Sequence, residues 1–196
     1  KETTGTPETP KPPEPEKPPV QTQHQVTMGD QTLHYTATCG LIPLQDEDKA
    51  QTTARLFFTA YTLDGVEDSA QRSLVFVFNG GPGSSSVWLH LGAIGPRRVV
   101  MQDEGWMPAP PFRLEDNLHG WLDLADLVFI DPVGTGYSRA TDTEKKKEFW
   151  SLENDLKSVG EFIRLYLTRY GRWHSPLFLA GESYGTTRAA GLAGYL

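Results

Sequence analysis

The sequence predicts an α/β protein built on a mostly parallel sheet, and three observations lead there. Apolar runs stand at 74–78 (LVFVF), 127–130 (LVFI) and 177–180 (LFLA). Continuous rather than alternating runs suit strands buried on both faces. Between the second and third runs lies SLENDLKSVGEFIRLYLTRYG, where Leu152, Leu156, Val159, Phe162, Ile163, Tyr166 and Tyr170 share one face at helical spacing. Strand, helix and strand in that order, with buried strands, imply parallel pairing through a crossover helix.

The elements follow in chain order. KETTGTPETPKPPEPEKPPV holds seven of the 15 prolines, separated by Thr, Glu and Lys. Such a stretch cannot bury enough surface to offset its ordering entropy, so residues 1–20 are expected to be a disordered linker. It would serve as a tether to an export signal or lipid anchor, or as a simple terminus. Residues 21–196 are the folded body. QHQVTM, a Gly29-Asp30 turn, QTLHYTATC and ARLFFTAYTLDG form an antiparallel lead-in. The helix between the second and third apolar runs is bounded by Ser151 as its cap, Glu153 and Asp155 in its first turn, and Gly171 at its stop.

Composition removes several function classes. A net charge of −7 repels phosphate backbones, and Lys145-Lys146-Lys147 is flanked by Glu144 and Glu148, so no nucleic-acid partner is expected. No apolar run approaches the roughly 20 residues of a membrane span. Cys39 is alone, which excludes an internal disulfide framework or thiolate cluster, and no metal or other cofactor is expected.

In parallel sheets, function collects at the carboxyl ends of the strands. Asn79-Gly80-Gly81-Pro82-Gly83-Ser84-Ser85-Ser86 follows the first run, Asp131-Pro132-Val133-Gly134-Thr135-Gly136-Tyr137-Ser138 the second, and Gly181-Glu182-Ser183-Tyr184-Gly185 the third. The third matches G-x-S-x-G. A sharp strand-to-helix turn lifts a nucleophilic serine above a sheet and leaves no room for side chains beside it, which is why glycines flank it. The alternative is a glycine-rich packing turn around a hydrogen-bonded serine. An oxyanion hole would use the Tyr184 amide and an amide from Gly80-Gly81. Phosphate binding is disfavoured: the first loop lacks a Gly-Lys-Ser/Thr ending, and the GTG at 134–136 lacks the third glycine of a dinucleotide fingerprint.

Taken together, FVFNGGPGSSSVWLHLGAIGPRRV, LVFIDPVGTGYS and LFLAGESYG resemble the serine carboxypeptidases of peptidase family S10, which have the three-layer α/β-hydrolase fold, incomplete in this chain. The resemblance covers about residues 73–196, and the forms it is closest to are bacterial. It implies that Ser183 is the nucleophile, that Gly81 and Tyr184 supply the oxyanion-hole amides, and that Asn79, Gly80 and Glu182 receive the terminal carboxylate of a peptide substrate. Secretion or a periplasmic location goes with it. Alternatives are an esterase or acyltransferase using the same serine, and a non-catalytic binding protein of this fold. Two departures stand out: Ser84 where the family usually has Cys, and Ala93 where many members carry a Glu that shares a proton with the residue at Glu182. A glutamic acid can bind a carboxylate only while it keeps its proton, so substrate binding should weaken as pH rises.

The base is the remaining question. His24, His34, His90, His119 and His174 all precede Ser183, whereas in this fold the acid and then the histidine follow the nucleophile. His119 with Asp131 could serve from upstream, but Asp131 suits a structural role around the Gly134-Thr135-Gly136 turn. The triad Asp and His are therefore expected beyond Leu196, in a carboxyl-terminal portion of the same protein that would be this chain's partner. Alone, the chain is expected to be inactive.

Overall fold

The computed structural model describes residues 17–46 and 51–196. A long antiparallel ribbon opens the fold: β1 (Val20–Met28), β2 (Gln31–Asp46) and β3 (Gln51–Leu63). The expected turn closes β1 onto β2, with Gly29 at φ +60°, a left-handed conformation that glycine adopts without strain. The linker expected at residues 1–20 falls mainly on 1–16, outside the described residues, and Val20 is already the first residue of β1.

The rest of the sheet is β4 (Leu74–Phe78), β7 (Asp126–Ile130) and β9 (Leu177–Gly181), joined by a short β8 (Arg139–Ala140) on β3. A separate hairpin, β5 (Arg97–Val99) with β6 (Leu114–Asp116), lies between β4 and β7 in the chain. The main order is β1-β2-β3-β7-β4-β9, with β7, β4 and β9 mutually parallel and β3 antiparallel to β7. The sheet is thus mixed, and its parallel half carries the three loops singled out above.

Helix α2 (Leu152–Tyr170) connects β7 to β9. Ser151 caps it, its hydroxyl accepting from the Asn154 amide at 3.3 Å, and Gly171 ends it at φ +64°. Val159, Phe162, Ile163 and Tyr166 of the expected apolar face are buried, Leu156 and Tyr170 are half-buried, and Leu152 is exposed. Tyr166 meets Phe58 and Phe76 edge-on, each ring pair 5.6 Å apart, and burial of such side chains stabilises the fold by roughly 1.5–3 kcal/mol each. Helix α3 (Tyr184–Tyr195) packs beside α2. A Cβ on Gly160 would lie 2.6 Å from the Tyr195 ring, and one on Gly191 would lie 2.6 Å from Leu156, so glycine sets how closely these helices approach.

The other face is covered by α1 (Val87–Leu89), the wider turn His90–Ile94 that continues it, and the loop around Leu122. Chain direction explains the two layers. β4 connects to β7 on one side of it, and β7 then passes over β4 to β9 on the other; right-handed crossovers running in opposite directions lie on opposite faces. β4 and β7 are buried throughout, whereas in β9 Leu177 and Phe178 are exposed and the rest is half-buried; among the described residues β9 pairs with β4 alone.

Candidate active site

The connections leaving β4 and β9 diverge, one to the α1 layer and the other to the α2–α3 layer, the arrangement that in such sheets places ligands at the strands' carboxyl ends. Asn79 and Gly80, both buried, and the exposed Gly81 follow β4; Glu182 and Ser183, both exposed, and the half-buried Tyr184 follow β9. Ser183 joins β9 to α3 at φ 56°, ψ −123°. A side chain held there costs about 1–3 kcal/mol and persists only where its surroundings enforce it. Two glycines do so. A Cβ on Gly181 would sit 2.1 Å from the Gly185 carbonyl oxygen, and one on Gly185 would sit 2.8 Å from that of Phe78. Both glycines of G-x-S-x-G are therefore packing requirements.

The structure brings the two loops into contact. A Cβ on Gly80 would lie 2.4 Å from the Tyr184 nitrogen and 2.7 Å from the Glu182 oxygen, so the backbone of the first loop rests on the turn around Ser183. Gly81 follows at φ +112°, and the Ser84 amide closes this loop onto the Gly80 carbonyl at 3.1 Å. Ser84, at the position where the resemblance leads one to expect Cys, takes part through its backbone. The Asn79 amide nitrogen donates to Glu182 Oε2 at 3.2 Å, while its Oδ1 accepts from the Leu89 amide at 3.0 Å. Ala93 offers its carbonyl to Asn117, leaving Asn79 as the polar neighbour of Glu182. Tyr184 and Gly185 open α3, whose amino end favours negative charge.

Beneath these two loops lies a buried ion pair that the sequence did not reveal. Arg188 is 1% exposed. Its guanidinium makes a two-pronged contact with Asp155 at 2.9 and 3.2 Å, and donates to the Asn79 carbonyl at 2.7 Å. It lies 5.3 Å from both the Phe78 and Tyr184 ring centres. The available signal was one cation in the small-residue helix YGTTRAAGLAGYL, one turn after Tyr184. Asp155 suits the first turn of α2 as an acid, yet its partner is this arginine on α3.

Asp131 is structural. Its Oδ1 accepts from both the amide and the hydroxyl of Ser86 at 2.9 Å, and its Oδ2 accepts from the Tyr137 amide at 3.3 Å, tying the loop after β7 to the loop after β4. His119 is exposed in the segment leading to the amino end of β7, where its amide bonds Asn117. His90 sits under the sheet against Phe129 and hydrogen bonds the Tyr61 hydroxyl; burial lowers its pKa to about 4. Among the described residues no histidine is hydrogen-bonded to Ser183, no group of three or more His, Cys, Asp or Glu side chains could hold a metal ion, and no helix is long and apolar enough to cross a membrane.

Comparison with known proteins identifies the family. The sequence model of the serine carboxypeptidase family, Peptidase S10, matches residues 29–194. The pheromone-processing carboxypeptidase KEX1 of Lachancea thermotolerans is 32% identical over 164 residues, covering 79% of this chain and 20% of that protein. KEX1 of Saccharomyces cerevisiae is 32% identical over 155 residues, covering 74% of this chain and 20% of that protein. The crystal structure of Kex1(delta)p, a prohormone-processing carboxypeptidase from Saccharomyces cerevisiae, superposes with a TM-score of 0.66 at 29% identity, over 82% of this chain and 33% of that one. The chain spans about a fifth of the length of these curated relatives. They are fungal, so the expectation of a bacterial type finds no support among them.

Proposed function

The chain belongs to the serine carboxypeptidase family, and from that premise we propose that it carries the nucleophile, oxyanion hole and carboxylate clamp of a serine-type carboxypeptidase. Ser183 attacks the carbonyl of the last peptide bond, and the Gly81 and Tyr184 amides stabilise the negative oxygen of the tetrahedral intermediate; each such donor is worth roughly 3 kcal/mol of barrier. The acyl-enzyme on Ser183 is then hydrolysed. Asn79, Gly80 and Glu182 hold the free carboxylate of the departing residue. The relatives' names, pheromone- and prohormone-processing carboxypeptidases, support peptides as the substrate class. Among the described residues no histidine is hydrogen-bonded to Ser183, so none of them is proposed as its base. The relatives' pheromone- and prohormone-processing names support a secreted or otherwise extracytoplasmic enzyme.

The observation that carries this reading is the Asn79–Glu182 contact at 3.2 Å, one residue from a strained Ser183. An esterase or acyltransferase needs the serine but not that pair. In the full-length protein a fluorophosphonate should label Ser183, and a blocked dipeptide acid should be cleaved far better than its amide. Absence of labelling points to a binding protein; equal cleavage of acid and amide overturns the clamp.

A further inference from the structure

We infer that Arg188 is a positioning residue for the substrate carboxylate, acting through the peptide between Asn79 and Gly80; the inference rests on the carboxylate clamp proposed above. Three of the hydrogen-bonding groups of Asn79 are engaged by neighbours of this site: Oδ1 by the Leu89 amide, the side-chain nitrogen by Glu182, and the main-chain carbonyl by Arg188. The third contact has a directional consequence. Among the described residues only Gly81-Pro82 and Pro110-Pro111 are cis, so the Asn79–Gly80 peptide is trans. In a trans peptide the carbonyl and the following N–H point in opposite directions. With the carbonyl drawn to Arg188 on α3, the Gly80 N–H is aimed the opposite way, and in this inference that is the direction of the substrate carboxylate.

That peptide needs an external hold. It is followed by Gly80 and Gly81, and glycine, having no Cβ, lets a peptide plane rotate at little cost. Gly80 cannot be replaced to stiffen it, because a Cβ there would strike the Tyr184 nitrogen and the Glu182 carbonyl. The close packing of the two loops therefore removes the usual steric means of fixing this backbone. A buried cation supplies a different one. Arginine suits the position: its flat fork fills the slot between Phe78 and Tyr184, gives two donors to Asp155, and leaves another for the Asn79 carbonyl. Asp155 compensates the buried charge and sets the plane of the fork.

A purely structural cross-link between α2 and α3 would affect all substrates alike, so the test separates substrates with and without a carboxylate. In the full-length protein, Arg188→Lys is compared with the double substitution R188M/D155L, which removes both charges and leaves neither unpaired. The substrates are a blocked dipeptide free acid and a p-nitrophenyl ester of a short fatty acid, with fluorophosphonate labelling of Ser183 as the control. The double variant should raise KM for the acid about tenfold or more, while ester hydrolysis and labelling stay within about threefold. Arg188→Lys, which keeps the charge and suffices should the double variant fail to fold, should raise that KM about threefold to tenfold. Equal losses on acid and ester, or no change on the acid, overturn the inference. A wild-type protein that does not favour the acid over its amide overturns the clamp instead, and the inference with it.

Discussion

The two ends of the parallel strands are built on opposite principles. At the amino ends, Asp126 is saturated: one oxygen accepts from the Leu63 amide at 3.0 Å and Arg72 at 2.9 Å, the other from Arg172 at 2.6 Å. Arg172 continues to Ser175 and the Arg72 carbonyl, and Ser175 to the Ala70 carbonyl. At the carboxyl ends, the backbone is strained at Ser183, contacts are made by glycines, and Glu182 and Ser183 remain exposed. Satisfied charges lock one end, whereas a strained backbone displays side chains at the other. The comparison also separates two buried arginines: Arg172 bonds within the locked end, whereas Arg188 reaches the displayed one.

Breaking the locked end should have the largest effect on stability. Asp126→Ala leaves two arginines without their shared carboxylate, and removing one partner of a buried ion pair costs about 3–5 kcal/mol. Denaturant titration of the full-length protein should show that loss, while kcat/KM of the folded fraction stays unchanged. A parallel fall in kcat/KM would mean that the two ends are coupled.

Breaking the displayed end should show the converse balance. Gly185→Ala places a methyl 2.8 Å from the Phe78 carbonyl and must shift the turn that holds Ser183. A displacement of about 1 Å at a reacting group can lower kcat about 10²-fold, so the rate of fluorophosphonate labelling should fall by that order. Labelling at the wild-type rate would show that the glycine is not needed for the turn.

His90 belongs to neither end and sharpens the contrast by its pH dependence. Its pKa is lowered by burial from the ordinary 6.5 to about 4, so between those values the unfolded chain binds the proton and the folded chain does not. The stability it contributes is present above pH 6.5 and is lost as pH falls toward 4. Between pH 7 and pH 5 the loss should be about 2 kcal/mol, and His90→Gln should remove that part of the slope. An unchanged slope in the variant would assign the pH dependence to other groups.

The legible parts of this molecule are those where one local requirement dominates. Helix α2 could be read almost to the residue, because Ser151, Gly171 and a helical apolar face all point to it. The turn around Ser183 was legible for the same reason: glycine on both sides of a serine, after an apolar run and before a helix, admits few conformations. Failures came where a residue's role depends on a distant neighbour. Phe178 reads as a buried strand residue, and how far it is covered depends on what packs beside β9, which its own apolar run does not specify. Asp155 and Arg188 are 33 residues apart, and nothing in either local pattern announces the other.

The sequence by itself determined the α/β class, the order of the three strand-end loops and the glycine-flanked turn at Ser183, because periodicity and glycine placement are local constraints that survive without knowledge of the fold; the three motifs taken together carried the family resemblance. Tertiary structure decided which strand is covered, that Gly80 rests on the Tyr184 amide, and that a buried arginine grips the Asn79 carbonyl. Those facts depend on how closely separate segments approach and which charges must share a space without water. Such distances are set only when the layers pack.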